Sequence, residues 1–234
     1  MRTTSIRSLC AIGIITVFVG MIAVTYFVSF PDPSTSQRYL AIRVEDTGAS
    51  NRVSGIYLNV RLFDTLLEIL VFSVAVLGVR YYLRHAADTD IPSLSESAVV
   101  RTSAGFLGPL ALLLSAVFAI FGHVSPGGGF SSGVIAGSAI LFVAIAQGIE
   151  KTEAKLNPAR VATVEKLLLL LVLIWAIAPA LFGLAPLSDM LPKGEAGQLL
   201  SGGSILPYNL VIGAKVFLGA WLIIAAFAQH RGEL

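Results

Sequence analysis

The sequence predicts an all-α fold, a polytopic membrane protein with about six transmembrane helices. Three observations carry this. The chain is 56% hydrophobic and only 13% charged, with a mean hydropathy of +0.83, a balance far outside that of soluble domains of this length. Six apolar segments are each long enough to cross roughly 30 Å of hydrocarbon as a helix. Finally, lysines and arginines gather at the ends of those segments, as expected where the middle is lipid-embedded.

The segments, in order, are Leu9–Phe30, Phe63–Leu83, Ala104–Phe121, Phe130–Ile149, Val164–Leu184 and Leu206–Ala228. The first follows a short basic N-terminus, Met1 to Arg7. Its apolar core is too long for a signal peptide, and Val28-Ser29-Phe30-Pro31 is not a small-residue cleavage site, so a retained anchor is expected. The fifth contains the unbroken apolar run Leu167 to Ile174, which a half-buried strand would not show. Pro109 and Pro179 are expected to kink the third and fifth helices.

Charge gives an orientation. With the N-terminus inside, Arg2, Arg7, Arg80, Arg84, Arg101, Lys151, Lys155, Arg160, Lys166 and Arg231 fall on the cytoplasmic side. Arg38, Arg43, Arg52, Arg61 and Lys193 fall outside, four of them in one long loop. Positive charge on short cytoplasmic loops therefore places both termini in the cytoplasm of a cell-membrane protein. Tyr26, Phe27 and Phe30 at one interface, and Tyr81 and Tyr82 at the other, suit aromatic-belt positions.

Several classes are excluded. The single cysteine, Cys10, permits no intrachain disulfide, and His85, His123 and His230 lack metal-ligand spacing. A net charge of +2 gives no basic surface for nucleic acid. No constellation suggests soluble catalysis, and no metal or cofactor is expected beyond a transported Na+ or H+.

The stretch Gly122-His123-Val124-Ser125-Pro126-Gly127-Gly128-Gly129-Phe130 joins the third and fourth segments. It lacks the Gly-Lys-Ser/Thr ending and the nearby cation of a phosphate-binding loop. It reads instead as a close-packed turn at a membrane face, stiffened by Pro126. Gly133 and Gly137 continue it at a four-residue spacing that lets a neighbouring helix approach. His123 is placed either to pass protons at the water interface or to bond a loop carbonyl.

This Gly-His-x-x-Pro-Gly-Gly-Gly-Phe pattern between apolar helices resembles the B-subunit (MnhB/MrpB) family of multisubunit cation/proton antiporters. Related subunits occur in redox-driven pumps of the membrane-bound hydrogenase type. Upstream, Phe63-Asp64-Thr65-Leu66-Leu67-Glu68 is similar to a Phe-Asp-Thr-x-x-Glu segment at the end of the antiporter A-subunit, a separate E-type subunit in hydrogenase-like complexes. The resemblance implies a fusion: a two-helix module over residues 1–83, a polar linker over 84–102, and a four-helix MnhB/MrpB-like domain over 103–234. It implies other membrane subunits as partners and a place in a Na+/H+ antiporter complex. A redox-driven pump, or a purely structural subunit, are the alternatives.

Charges within the spans are the candidate ion-path residues. Asp64 and Glu68 share one face of the second helix, and Arg61 falls on the same stripe. Arg61 is expected to neutralise Asp64, leaving Glu68 deeper without a partner in its own helix. Lys215, near the middle of the last span, costs about 2.5–3.5 kcal/mol on insertion scales and must face protein or water. Resemblance to antiporter modules makes it a relay candidate; the alternative is a packing role paired with a neighbouring subunit's carboxylate. Glu165 and Lys166 are expected at the interface. With so few buried charges, no repeat and no broken helix, the chain is expected to be a subunit rather than a complete transporter.

Overall fold

The computed structural model describes residues 2–27, 43–84 and 97–229. The linker expected over 84–102, His85 and His230 lie largely or wholly outside these residues. The main α-helices are α1 (Arg2–Phe27), α2 (Arg52–Gly55), α3 (Leu62–Arg84), α4 (Ala98–Ile120), α5 (Gly129–Gln147), α6 (Ile149–Lys155), α7 (Pro158–Leu181) and α8 (Ile205–Gln229). No strand occurs among the described residues. Five helices, α3, α4, α5, α7 and α8, are long and apolar enough to cross a membrane. The expected sixth span, Leu9–Phe30, runs past the described residues, and its described apolar part is Ser8–Val24.

Capping residues explain where several helices differ from the hydropathy reading. α4 begins at Ala98, not 104, because the Ser97 side chain accepts from Val100 N and satisfies an otherwise orphaned donor. α7 begins at Pro158, not 164: Asn157 accepts from Ala159 N and Arg160 N, and Pro158 occupies the first turn, where its missing N–H costs nothing. α5 ends at Gly148, whose φ of 95° turns the chain into the short α6. That segment is too polar for a hydropathy scan to find. Both α4 and α7 contain their prolines within the assigned helix.

α8 is the centre of the bundle, packed against α5, α7, α3 and α4, while α1 lies against α7. Close approach between α5 and α8 depends on glycine, as the spacing of Gly133 and Gly137 predicts. A Cβ on Gly133 would stand 2.5 Å from the Cβ of Val216, and one on Gly137 2.6 Å from that of Ala220. α3 and α1, from the first half of the sequence, both pack on helices of the second half.

Three loops meet at one end of the bundle. Asn51 Nδ2 donates to the carbonyls of Gly122 (2.8 Å) and Ser125 (3.0 Å). Asn59 Nδ2 donates to Asp189 Oδ2 at 3.2 Å, and Lys193 Nζ to the carbonyl of Asp46 at 2.7 Å. Residues 43–61, 121–128 and 182–204 therefore share this loop end. At the opposite end, Trp221 Nε1 donates to the Leu156 carbonyl (2.7 Å), fixing α8 to the α6–α7 joint.

Candidate functional site

Lys215 is fully buried near the middle of α8, and its partner lies within the same chain. Its Nζ stands 3.2 Å from Oε1 of Glu165 on α7. It also donates to the carbonyl of Ile69 on α3 at 2.9 Å, and lies 4.6 Å from the centroid of the Phe72 ring. Phe72 reaches this position because Gly219 leaves room: a Cβ there would be 2.5 Å from the ring. Three helices thus converge on one ammonium group. Each contact offsets the desolvation of the charge.

Glu165 is the residue that sequence reasoning misplaced. Expected at the interface, it is 0% exposed. Its Oε1 also accepts from Ser73 Oγ (3.2 Å), and its Oε2 lies 3.4 Å from Lys166 Nζ. Ser73 Oγ in turn lies 3.0 Å from the Ile69 carbonyl. The misplacement has a simple cause. α7 starts six residues earlier than its apolar run, so Glu165 stands about 10 Å inside the helix at 1.5 Å per residue. The signal that could have found it is arithmetic: a buried lysine needs a carboxylate, and Glu165 is the acidic residue inside α7.

Glu68 behaves differently from expectation. It is exposed on the outer face of α3, beside Leu67 (37%) and Val71 (68%). The buried stripe of α3 is Leu62, Leu66, Ile69, Ser73 and Val76, and Glu68 falls off it. It makes no ion pair among the described residues. Arg61 pairs with Asp64 as the three-residue spacing predicts, and both side chains are more than half exposed. Asp64, Glu68 and the buried cluster are therefore not brought together: the first two face outward and Lys215 faces inward.

A π-helical turn, Ile56–Val60, leads into α3. Thr65 Oγ1 donates to its Tyr57 carbonyl at 2.6 Å. The Tyr57 hydroxyl donates to the Gly127 carbonyl at 3.3 Å. Burial raises the pKa of this phenol above its ordinary value, and the hydrogen bond with Ser54 partly offsets the rise.

His123 is fully buried rather than at water, and its Nε2 lies 3.3 Å from the Gln198 carbonyl. Its Nδ1 has no hydrogen-bond partner among the described residues. Gly122 and Gly127 pack against the backbone of Phe118, and Gly128, with φ 147°, packs against the Tyr57 hydroxyl. Pro126 is exposed at the turn's tip. Gly129 opens α5, whose preceding residue has no side chain to cap it. Asn209 of α8 supplies the cap instead, accepting from Gly129 N at 2.8 Å. Phe130 packs edge-on against Phe72, 5.7 Å between centroids. The glycine turn thus docks α5 onto α8 and onto the ring that covers Lys215. No group of His, Cys, Asp and Glu side chains able to hold a metal occurs among the described residues.

Comparison with known proteins agrees with this architecture. A family model described as a domain related to the MnhB subunit of Na+/H+ antiporter matches residues 99–222. No curated protein sequence matches the chain. Among solved structures, an archaeal respiratory membrane complex, the membrane-bound sulfane sulfur reductase, contains a similar chain. The two are 26% identical with a TM-score of 0.66, over 94% of this chain and 97% of that one. A chain of the Mrp complex from Dietzia sp. DQ12-45-1b is similar in fold, at 24% identity and a TM-score of 0.62. All of this chain is covered, but only 27% of that much longer one.

Proposed function

The chain belongs to the family of domains related to the MnhB subunit of Na+/H+ antiporters, and we propose that it serves as a membrane subunit of a monovalent cation/proton antiporter complex. In this reading the buried Lys215–Glu165 pair lies on the path of translocated charge, and Glu68 presents a second carboxylate at the subunit's outer face. Na+ is the proposed cation. The observation that carries the reading is the ion pair at 3.2 Å with both side chains out of solvent.

Ionisable groups inside membrane spans are costly and rare, and they mark ion pathways and proton relays. A pair of opposite charges within hydrogen-bond reach has two low-cost states, charged on both sides or neutral on both. A proton can therefore move between them without leaving a lone charge in an apolar medium. Ser73 Oγ and the Ile69 carbonyl hold the ammonium and the carboxylate at fixed positions. Lys215→Met, assembled with its partner subunits in membrane vesicles, is expected to lose cation-dependent proton exchange. Unchanged exchange would contradict the reading.

A second reading has its own observation. The solved chain that this protein matches over nearly its whole length belongs to a respiratory membrane complex. The same subunit would then serve a redox-driven pump, with the buried pair performing the same transfer. A purely structural subunit is the third reading. The neighbouring genes distinguish the first two: large antiporter-like subunits favour the antiporter, and redox subunits the pump.

The charge distribution supports placing both termini in the cytoplasm and the loop end outside. Cysteines introduced at Ser125 and Lys151 are expected to label from opposite sides of intact cells, with Cys10 buried and silent. Labelling from one side would overturn this orientation.

A further inference from the structure

We propose that Lys166 is a proton-transfer residue that connects the buried Lys215–Glu165 pair to the seam between α1 and α7. The inference rests on the reading of that pair as part of the charge path. It is carried by a geometric fact the pair alone does not explain: Glu165 is bracketed by two ammonium groups, one on each oxygen. Lys215 Nζ stands 3.2 Å from Oε1 and Lys166 Nζ 3.4 Å from Oε2.

The two lysines differ in access. The Lys215 side chain is 0% exposed, that of Glu165 1%, and that of Lys166 12%. The row of three therefore runs from a closed interior to a partly open edge. Two full positive charges against one negative leave an excess charge inside the span, which burial penalises. The penalty is relieved when one lysine is neutral, and the charge can then reside at either end. Lys166 gives a proton to the Glu165 carboxylate, becoming a neutral amine. The protonated Glu165 then gives its proton to a neutral Lys215 amine and returns to carboxylate. The net result moves one positive charge from the edge to the interior, with no proton created or lost. The reverse sequence moves it out.

The exit is set by α1. Leu170, one turn beyond Lys166 on the same face of α7, lies against Gly13 of α1, where an added Cβ would be 3.5 Å from its Cδ1. The four-residue spacing from Leu170 puts Lys166 on the face of α7 against which α1 packs. This gives the first helix, which carries no sequence signature, a place in the path.

The test uses the complete complex in vesicles and separates charge from proton release. Arginine keeps the positive charge beside Glu165 but does not deprotonate in proteins. Lys166→Arg and Lys166→Met are both expected to assemble and to lower proton exchange by at least ~100-fold, the low end of a general acid–base contribution. Lys166→His, which titrates, is expected to recover part of the rate with a pH profile displaced to lower pH. Wild-type exchange in Lys166→Arg would overturn the proposal, leaving Lys166 an electrostatic support. Loss of all three variants from the complex would overturn it too, since it would show a packing role. Lys215→Met is measured beside them. If it too transports normally, the pair itself is not in the path; if it alone is impaired, only the role of Lys166 fails.

Discussion

The Lys215 ammonium and the Glu165 carboxylate stand 3.2 Å apart, on neighbouring helices, in a part of the molecule that no solvent reaches. Their association is intramolecular, so the chain does not need a partner subunit to neutralise its central lysine. This separates folding from assembly: the five-helix bundle closes around its own charges, and whatever neighbours it has dock on its outside.

Breaking this pair from one side should cost more than removing it whole. Glu165→Leu leaves a buried ammonium with only a carbonyl and an aromatic face, at an expected cost of about 3–5 kcal/mol. The double variant Glu165→Leu/Lys215→Met removes both charges and should recover most of that loss. Thermal unfolding in detergent checks this, and a double variant less stable than Glu165→Leu would contradict it.

Glycine should be essential at the α5–α8 contact, where space is absent, and dispensable at Gly78 on α3, where it is open. Gly133→Val places atoms against the side chain of Val216 and the carbonyl of Gly213, and should lower the midpoint of thermal unfolding and the yield of complex. Gly78→Ala meets nothing within 4 Å and should leave both unchanged. Equal behaviour of the two would show that the contact is looser than described.

Much of this was legible in the sequence. The apolar spans, the pairing of Arg61 with Asp64, and the close approach at Gly133 and Gly137 all follow from spacing within one helix or turn. What was not legible depended on which side of a helix faces inward. α3 is apolar on nearly every side, so no stripe marked the face of Ile69 and Ser73 as buried or that of Glu68 as exposed. Glu165 was hidden for a related reason. Next to Lys166, at the edge of an apolar run, it resembles an interfacial charge until Asn157 and Pro158 start the helix early and Lys215 reaches it from α8. Asn209 capping α5 is likewise a tertiary event with no local signal.

Glu68 on the outer face of α3 should matter for transport rather than for folding. Glu68→Gln keeps size and hydrogen-bonding capacity but cannot change charge. The chain should fold and assemble at wild-type levels, with most cation-dependent proton exchange lost in vesicles. Glu68→Asp, with its carboxylate withdrawn by a methylene, should retain part of the activity with a shifted pH optimum. Normal exchange in Glu68→Gln would assign this carboxylate to subunit contact alone.

The central claim is that the buried pair exchanges a proton and does not merely hold helices together. Lys215→Arg tests it most directly, because a guanidinium keeps the positive charge and the attraction to Glu165 yet does not release a proton at any pH the membrane survives. Proton exchange is measured in vesicles carrying the assembled complex, alongside its recovery on native gels. The account predicts an assembled complex whose cation-dependent proton exchange is abolished. Assembly with undiminished exchange would contradict it and leave the Lys215–Glu165 pair a structural clamp.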